Sequence, residues 1–328
     1  MPLETVAVIG GGAWGTALAQ AAAMAGRQVR LVVRSAEQAE AINREHINAR
    51  ALPGQNLLPG VVATDRLERA DLVILAVPAQ STRTLLSGLD PDLLAGRPVV
   101  LSAKGLETGT LARQSEILLD MAPEAVPYVL SGPSFAADLA AGRPTAVTLA
   151  GDDASDTSDL AAALAGPSFR PYAADDRIGV EIAGALKNVY ALACGAVDGA
   201  NLGASARAAL IARGYAEMAR VVTAMGGSAH TLTGLAGLGD LTLTCTSVQS
   251  RNYQFGMALG AGRSTEDIVN AGAKLAEGVA TAPVAAALAK SLDIDAPLID
   301  AVDAVVAGKA DIATIVAGLM SRPLKREV

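Results

Sequence analysis

The first half of the chain alternates between short, mainly apolar runs and longer segments of helix-forming residues. Residues 6–9 and 29–33 are runs of strand length, and residues 71–78 form a continuous run closed by a proline. Further runs of strand length cover residues 99–101, 128–130, 146–150 and 169–172. Residues 36–46 and 155–165 are typical of helices, and a loop rich in proline and glycine follows the first of them. Apolar strands that alternate with helices predict a Rossmann-type, doubly wound parallel sheet.

The pattern changes in the second half, where the strand-like runs end at about residue 175. Helical spacing or strong helix formers cover residues 178–194, 204–225, 264–270, 279–291 and 296–320. A chain of 328 residues is long enough for about two domains. We predict a dinucleotide-binding Rossmann domain at residues 1–177 and an all-α substrate-binding domain at residues 178–328.

The first predicted strand runs directly into a cluster of glycines. Gly10, Gly12 and Gly15 match the spacing G-x-G-x-x-G, with Ala13 and Trp14 inside it. Such glycines permit a tight turn, close approach of the backbone to a pyrophosphate, and close packing of the helix on the strand. A glycine-rich turn can also be only a turn. The strand before it, the helix after it and a second strand at the right distance favour a dinucleotide site at the helix N-terminus.

Charge and cysteine content exclude several classes of protein. The net charge is −7, which predicts no nucleic-acid partner and no binding to an anionic membrane surface. Residues 5–26 and 221–239 contain no Asp, Glu, Lys or Arg, but glycines interrupt both, so we predict neither a signal peptide nor a membrane span. The two cysteines, Cys194 and Cys245, provide neither a disulfide framework nor a metal site, so we expect no metal and a cytoplasmic location.

Lys187 interrupts an apolar helix face in the predicted second domain. The same face carries Val180, Ala183, Gly184, Tyr190, Ala191 and Cys194. A lysine in this setting either extends to the surface or is held in a cleft, where desolvation lowers its pKa towards a value suited to proton transfer. The neighbouring Asn188 and the nucleotide-binding fold favour the cleft, and make Lys187 a candidate proton donor.

Several polar residues follow predicted strands, at the edge of the sheet where ligands of such folds bind. Lys104 ends one buried strand, and Gly132 and Ser134 follow another. An exposed lysine and a plain turn are the alternatives at these two places. Arg34 follows the second strand, where an acidic residue would bind the ribose hydroxyls of NAD. Arg34 can instead accept a 2′-phosphate or stack on adenine, so we predict that NADP(H) is used at least as well as NAD(H).

A second group of polar residues lies in the predicted helical domain. Asp240 supplies a carboxylate after a glycine-rich stretch, and Ser250, Arg251 and Asn252 form a small anion-binding set. The alternative is a loop followed by a helix that Ser250 caps. The sequence leaves open whether Asp240 contacts Lys187 or a substrate hydroxyl.

Six motifs in this order resemble the bacterial NAD(P)-dependent glycerol-3-phosphate dehydrogenase family over nearly the whole chain. They are residues 10–15, 103–107, 131–135, 186–188, 234–240 and 250–252. The resemblance implies reversible reduction of dihydroxyacetone phosphate to sn-glycerol 3-phosphate for glycerophospholipid synthesis. It also implies an NAD(H) or NADP(H) cofactor. The Ala- and Gly-rich helices of the second domain can pack within one chain or across a two-fold axis, and we expect a homodimer.

The resemblance also implies roles for individual residues. The catalytic positions are Lys187, as proton donor and acceptor, Lys104 and Asp240. The substrate-binding positions are Lys104, Gly132, Ser134, Lys187, Asp240, Ser250, Arg251 and Asn252. The cofactor-binding positions are Gly10, Gly12, Ala13, Trp14, Gly15, Arg34, Lys104, Ala136, Arg251, Leu275 and Glu277. Two departures, Ala13 for a frequent serine and Tyr253 for a frequent basic residue, could weaken phosphate contacts but leave the principal groups intact.

Two other functions fit parts of the sequence. A ketopantoate-reductase or β-hydroxyacid-dehydrogenase type has the same architecture and a helix lysine, but acts on carboxylate substrates. A nucleotide-binding sensor without turnover has no need of a proton donor, so the set of Lys104, Lys187 and Asp240 argues against it.

Overall fold

An eight-stranded sheet dominates the N-terminal part of the computed structural model, which describes residues 3–273 and 276–323. The strands are β1 (Thr5–Ile9), β2 (Gln28–Val32), β3 (Val61–Thr64), β4 (Leu72–Leu75), β5 (Pro98–Leu101), β6 (Val126–Ser131), β7 (Thr145–Ala150) and β8 (Phe169–Ala174). Their order across the sheet is β3-β2-β1-β4-β5-β6-β7-β8. Neighbouring strands are parallel except for β6 and β7, which are antiparallel.

Helices connect most of the strands, and after the last strand the described chain contains helices and no further strands. The helices up to the last strand are α1 (Ala13–Met24), α2 (Ala36–Glu45), α3 (Thr82–Ser87), α4 (Gln114–Met121), α5 (Ala136–Ala140) and α6 (Ala154–Leu164). The later helices are α7 (Arg177–Gly199), α8 (Ala204–Ala224), α9 (Asp240–Thr246), α10 (Arg251–Gly260), α11 (Thr265–Asn270), α12 (Glu277–Ser291), α13 (Pro297–Val306) and α14 (Ile312–Met320). The predicted fold class, a Rossmann-type sheet followed by an all-helical part, is confirmed.

Three local differences separate the structure from the predicted elements. Strand β3 has no counterpart among the predicted strands, because it has only four residues and follows a loop rich in proline and glycine. The region 296–320 is divided into two helices, α13 and α14. Strand β7 runs antiparallel to β6, and the helix between them, α5, has only five residues, which is too short to carry the chain back along the sheet as a parallel crossover requires.

The order of the first six strands creates a crevice for a ligand. Strand β1 lies between β2 and β4, so the chain builds the sheet outward on one side of β1 and then crosses to the other side. Because β1, β4, β5 and β6 are parallel, their carboxyl ends lie along the same edge. Open α/β sheets bind ligands outside this edge, at the point where the strand order reverses.

Helix α7 forms the centre of the helical part, and it packs unusually close to α10. A methyl group added at Gly195 or Gly199 would lie 2.1 Å from a backbone oxygen of α10. Likewise, a methyl group added at Gly256 or Gly260 of α10 would lie 2.1 Å from a backbone oxygen of α7. Small residues at i and i+4 on both helices therefore let the two backbones touch. This contact fixes the helix that carries Lys187 against the helix that begins with Arg251.

The Gly195→Ala variant is expected to lower the free energy of unfolding by about 1–3 kcal/mol, because the added methyl group forces α7 and α10 apart. Urea unfolding followed by circular dichroism measures this change. The control is Gly318→Ala in α14, where the added methyl group meets no atom within 4 Å. That variant should be more stable than wild type by about 0.5 kcal/mol. Equal urea midpoints of unfolding for Gly195→Ala and wild type would contradict the close packing of α7 against α10.

Helix α7 is also long and apolar enough to cross a membrane by length and composition alone, with 23 residues and a mean hydropathy of 1.3 in its most apolar window. However, 94% of that window is buried inside the protein. This burial is typical of the central helix of a folded helical domain, which is apolar on all sides because other helices surround it.

Candidate active site

The turn after β1 has the geometry of a dinucleotide-binding loop. Gly10 has a φ of 122°, which favours glycine, and an added Cβ would lie 2.5 Å from the Ala76 carbonyl oxygen. An added Cβ at Gly15 would lie 2.0 Å from the Gly10 oxygen, so α1 begins very close to the strand. Gly12, the N-cap of α1, faces open space.

This turn fits the pyrophosphate of a nicotinamide dinucleotide. The N-terminus of α1 presents backbone N–H groups that have no partner within the helix, and its dipole favours an anion. The open face of Gly12 leaves room for close approach. The indole Nε1 of Trp14, on the first turn of α1, is buried and has no hydrogen-bond partner among the described residues.

Two lysines share one buried carboxylate at the junction of the sheet and the helices. The Nζ atom of Lys187 lies 2.5 Å from Oδ1 of Asp240, and the Nζ atom of Lys104 lies 2.7 Å from Oδ2. Asp240 is fully buried and Lys187 is 6% exposed. We call these three residues the lysine–carboxylate cluster. Of the two contacts that the sequence leaves open for Asp240, the structure shows the one with Lys187, and it adds a contact with Lys104.

Three separate elements supply the cluster. Lys187 lies near the middle of α7, Lys104 follows β5, and Asp240 is the first residue of α9. A short π-helix, Leu235–Gly239, leads directly into Asp240. Its glycines allow close packing, since an added Cβ at Gly237 would lie 2.2 Å from the Leu232 oxygen. Irregular helical turns of this kind often occur at functional sites, where they set the direction of one side chain.

Thr244 completes the surroundings of Lys187, although the sequence does not mark it as a site residue. Its Oγ1 accepts a hydrogen bond from Lys187 Nζ at 2.9 Å and donates one to Asp240 Oδ1 at 3.1 Å. Thr244 follows Asp240 by four residues, and residues at this spacing are neighbours on a helix surface. This spacing of four residues is the sequence signal that could have identified Thr244. It is informative only when Asp240 is known to begin a helix.

The charges in the cluster shift each other's ionisation. Burial lowers the pKa of Lys187 from 10.5 to about 8, although Asp240 raises it in part and Lys104 lowers it further. Burial raises the pKa of Asp240, but the two lysines outweigh it and hold this pKa below its usual value. Lys187 can therefore exchange a proton near neutral pH, beside a carboxylate that stays charged.

A chain of side-chain amides connects this cluster to α10 and α12. The Gly278 N–H donates to Asn252 Oδ1 at 2.8 Å, Asn252 Nδ2 donates to Asn188 Oδ1 at 2.8 Å, and Asn188 Nδ2 donates to the Lys104 carbonyl oxygen at 2.9 Å. Asn188, which follows Lys187 in the chain, thus holds the backbone of Lys104. The sequence assigns no role to Asn188 beyond its position next to Lys187.

The segment after β6 lies against the same cluster. The carbonyl oxygen of Gly132 accepts hydrogen bonds from Lys104 Nζ at 3.1 Å and from Ser134 Oγ at 3.0 Å. Ala136 begins α5 and packs, with Ala13 and Trp14, against the core beside α1. The alternative of an exposed lysine at Lys104 is wrong, because its side chain is only 13% exposed.

Comparisons with known proteins identify the family of the chain. The family models described as the N-terminus and the C-terminus of NAD-dependent glycerol-3-phosphate dehydrogenase match residues 5–157 and 176–317. The glycerol-3-phosphate dehydrogenase (NAD(P)+) of Caulobacter vibrioides is 48% identical over 330 residues, which are 100% of both chains. The chain belongs to the NAD-dependent glycerol-3-phosphate dehydrogenase family. Membership confirms the resemblance drawn from the six motifs, and with it the enzyme class and the NAD(P) cofactor.

Solved structures place this dehydrogenase family member in the same fold. A glycerol-3-phosphate dehydrogenase from Coxiella burnetii has a TM-score of 0.91 and 37% identity, over 98% of this chain and 99% of that chain. A probable 2-dehydropantoate 2-reductase from Bacillus subtilis has a TM-score of 0.57 and 16% identity, over 93% of this chain and 100% of that chain. The second likeness shows a shared fold alone.

Ser250, Arg251 and Glu277 lie at the starts of α10 and α12. Ser250 caps α10 by accepting from the Tyr253 N–H at 3.3 Å, and Arg251, the first residue of the helix, is exposed. Glu277 begins α12, where burial raises its pKa while Arg251, Lys187 and Lys104 oppose that shift. Leu275 lies outside the described residues.

Arg34 and the family departure Tyr253 lie on other elements than those that supply the lysine–carboxylate cluster. Arg34 is exposed, two residues beyond the end of β2 and just before Ser35, the N-cap of α2. Tyr253 is buried, and its hydroxyl bonds to Asp198 and Arg207. Tyr253 therefore joins α10 to α7 and α8.

Proposed function

We propose that this chain catalyses the reversible, NAD(P)-dependent reduction of dihydroxyacetone phosphate to sn-glycerol 3-phosphate. The observation that carries the proposal is the buried pair of Lys187 and Asp240, 2.5 Å apart, at the ligand edge of a dinucleotide-binding sheet. A binding protein without turnover has no need of a proton donor, whereas Lys187 lies buried beside a charged carboxylate and has a pKa of about 8.

A nicotinamide cofactor held at the turn of Gly10 and Gly12 would supply or accept the hydride. In the direction of reduction, the Lys187 ammonium donates a proton to the substrate oxygen as negative charge develops on it. Asp240 holds this ammonium in place through Oδ1, and Thr244 fixes its direction. In the direction of oxidation the neutral Lys187 amine accepts the hydroxyl proton. Lys104, held by Asp240 and Gly132, adds positive charge beside the substrate.

The phosphate of the substrate is held at the start of α10. Arg251 is exposed there and can form charge-assisted hydrogen bonds, and Ser250 and Asn252 flank it. The helix N-terminus favours an anion at the same point. Binding energy from the phosphate positions the carbonyl carbon, which lies several bonds away, against the proton donor.

The cofactor site extends from the turn at Gly10 and Gly12 to Glu277. We assign the pyrophosphate to the N-terminus of α1, and the ribose and its 2′-phosphate to Arg34, so NADP(H) should serve at least as well as NAD(H). We further propose a division between the two domains at residues 177 and 178, a cytoplasmic location, a homodimer and a role in glycerophospholipid synthesis.

The deciding experiment measures the oxidation of NADPH, and separately of NADH, with dihydroxyacetone phosphate as substrate. Ketopantoate and a reaction without substrate are run beside it. We expect rapid oxidation of the cofactor with dihydroxyacetone phosphate alone. Ketopantoate carries a carboxylate and no phosphate group, so it cannot occupy the proposed phosphate site. Oxidation with ketopantoate alone, or no oxidation by protein that binds NADPH, would reject the proposed reaction.

A further inference from the structure

The loop between α2 and β3 holds the glycine turn through one buried side chain. Asn48 is 2% exposed and lies on this loop. Its Nδ2 donates to the Gly11 carbonyl oxygen at 3.0 Å and to Thr16 Oγ1 at 2.8 Å. Both hydrogens of the amide are therefore used, one on the turn and one on the first helix.

Hydrogen bonds also hold the same loop against α1 at a second place, which keeps the backbone around Asn48 in position. Gln20, in the middle of α1, donates through Nε2 to the Asn56 carbonyl oxygen at 3.3 Å. Its Oε1 accepts from the Leu58 N–H at 2.9 Å. The loop thus acts as a fixed support beside the helix, rather than a flexible connection.

The bond from Asn48 sets the direction of one peptide group. In a trans peptide the C=O of one residue and the N–H of the next point in opposite directions. Since the Gly11 oxygen points at buried Asn48, the Gly12 N–H points away from Asn48. Gly12 is the N-cap of α1, and no atom of a non-neighbouring residue lies within 4 Å of the position that its Cβ would take. Without this bond the peptide could rotate, because glycine on both sides places few steric limits on it.

We propose that Asn48 is a positioning residue for the cofactor, which fixes the Gly11–Gly12 peptide so that the Gly12 N–H faces the pyrophosphate. Asn48 does not touch the cofactor itself. A rotated peptide would present the Gly11 oxygen to the pyrophosphate in place of an N–H donor, so a favourable contact would become a repulsive one. This inference rests on the proposed function only in taking a pyrophosphate dinucleotide as the ligand.

The test compares Asn48→Ala and Asn48→Asp with wild type. NADPH binding is titrated by its fluorescence, and inhibition constants are measured for ADP-ribose, which carries the pyrophosphate, and for adenosine, which does not. We expect the Kd of NADPH and the inhibition constant of ADP-ribose to rise about tenfold, as for loss of one hydrogen bond to a charged group. The constant for adenosine, the KM of the ketone substrate and kcat at saturating NADPH should change less than about twofold.

Asn48→Asp keeps the volume of the side chain, so it reports on the site if the alanine variant does not fold. The matched control is Asn43→Ala, which removes an asparagine that also makes two hydrogen bonds to a neighbouring segment, at 2.7 Å and 2.9 Å to the backbone of Ala63. Equal losses for ADP-ribose and adenosine, or the same loss in Asn43→Ala, would overturn the positioning role. An unchanged Kd for NADPH would do the same. Wild-type turnover of dihydroxyacetone phosphate tests the proposed function separately.

Discussion

Replacing Lys187 with alanine is expected to lower kcat for ketone reduction by about 10³-fold, since a positioned general acid contributes between about 10² and 10⁴. NADPH binding should be retained, because the turn at Gly10 and the N-terminus of α1 do not depend on Lys187. Steady-state turnover and a fluorescence titration of NADPH measure the two quantities. The split between lost turnover and retained binding is what identifies a proton donor.

The pH dependence of the wild type provides a second measure of the same residue. Reduction requires the ammonium form of Lys187, whose pKa is lowered by burial to about 8. Reduction should therefore be independent of pH below about 8 and fall above it, tenfold for each pH unit. Oxidation requires the amine form, so it should rise with pH up to about 8 and then level off. Lys187→Ala should lack this ionisation in both directions.

The control for Lys187 is Lys290→Ala, because Lys290 is exposed at the end of α12. This variant should keep wild-type turnover and the wild-type pH profile. Turnover of Lys187→Ala close to that of wild type at every pH would remove Lys187 from its role. In that case Lys104, which shares Asp240 with it, would be the next candidate for the proton donor.

The Asp240→Asn variant is expected to have the second largest effect, in both activity and stability. Asn has the same shape but no charge, so two ammonium groups would remain in the site without their shared carboxylate. Removing one partner of a buried ion pair typically lowers the free energy of unfolding by about 3 kcal/mol or more. Urea unfolding at constant pH measures this loss.

The same variant should move the pH profile in a defined direction. The charge of Asp240 raises the pKa of Lys187, in opposition to burial. Its removal therefore lowers that pKa below about 8, and less of the enzyme carries the ammonium at pH 8. We expect the fall in the rate of reduction to begin at a lower pH than in wild type, and turnover at pH 8 to drop by about 10²-fold.

Asp152→Asn is the matched control for this change. Asp152 pairs with Arg177 through two bonds of 2.9 Å, but its side chain is 67% exposed. Loss of an exposed ion pair should lower the free energy of unfolding by at most about 1 kcal/mol, and the pH profile of turnover should be that of wild type. A wild-type profile for Asp240→Asn would show that Lys187 is not electrostatically linked to this carboxylate.

The sequence alone determined the features that depend on neighbouring residues. Gly10 and Gly15 were predictable because a tight turn from strand to helix needs them: Gly10 has a φ of 122°, and an added Cβ at Gly15 would lie 2.0 Å from the Gly10 oxygen. Buried strands were predictable from continuous apolar runs. Lys187 was visible as a charge on an apolar face, because helical periodicity alone places it there.

Only the tertiary structure decided which side chains meet. The partner of Lys187 is 53 residues away in the chain and the partner of Lys104 is 136 residues away. Asn188, Thr244 and Asn48 have no sufficient local signal, because their importance depends on which group lies opposite. Such pairings follow from strand order, from the direction of β7 and from the close contact of α7 and α10. Those are properties of packing over the whole chain, whereas periodicity and steric limits act over a few residues.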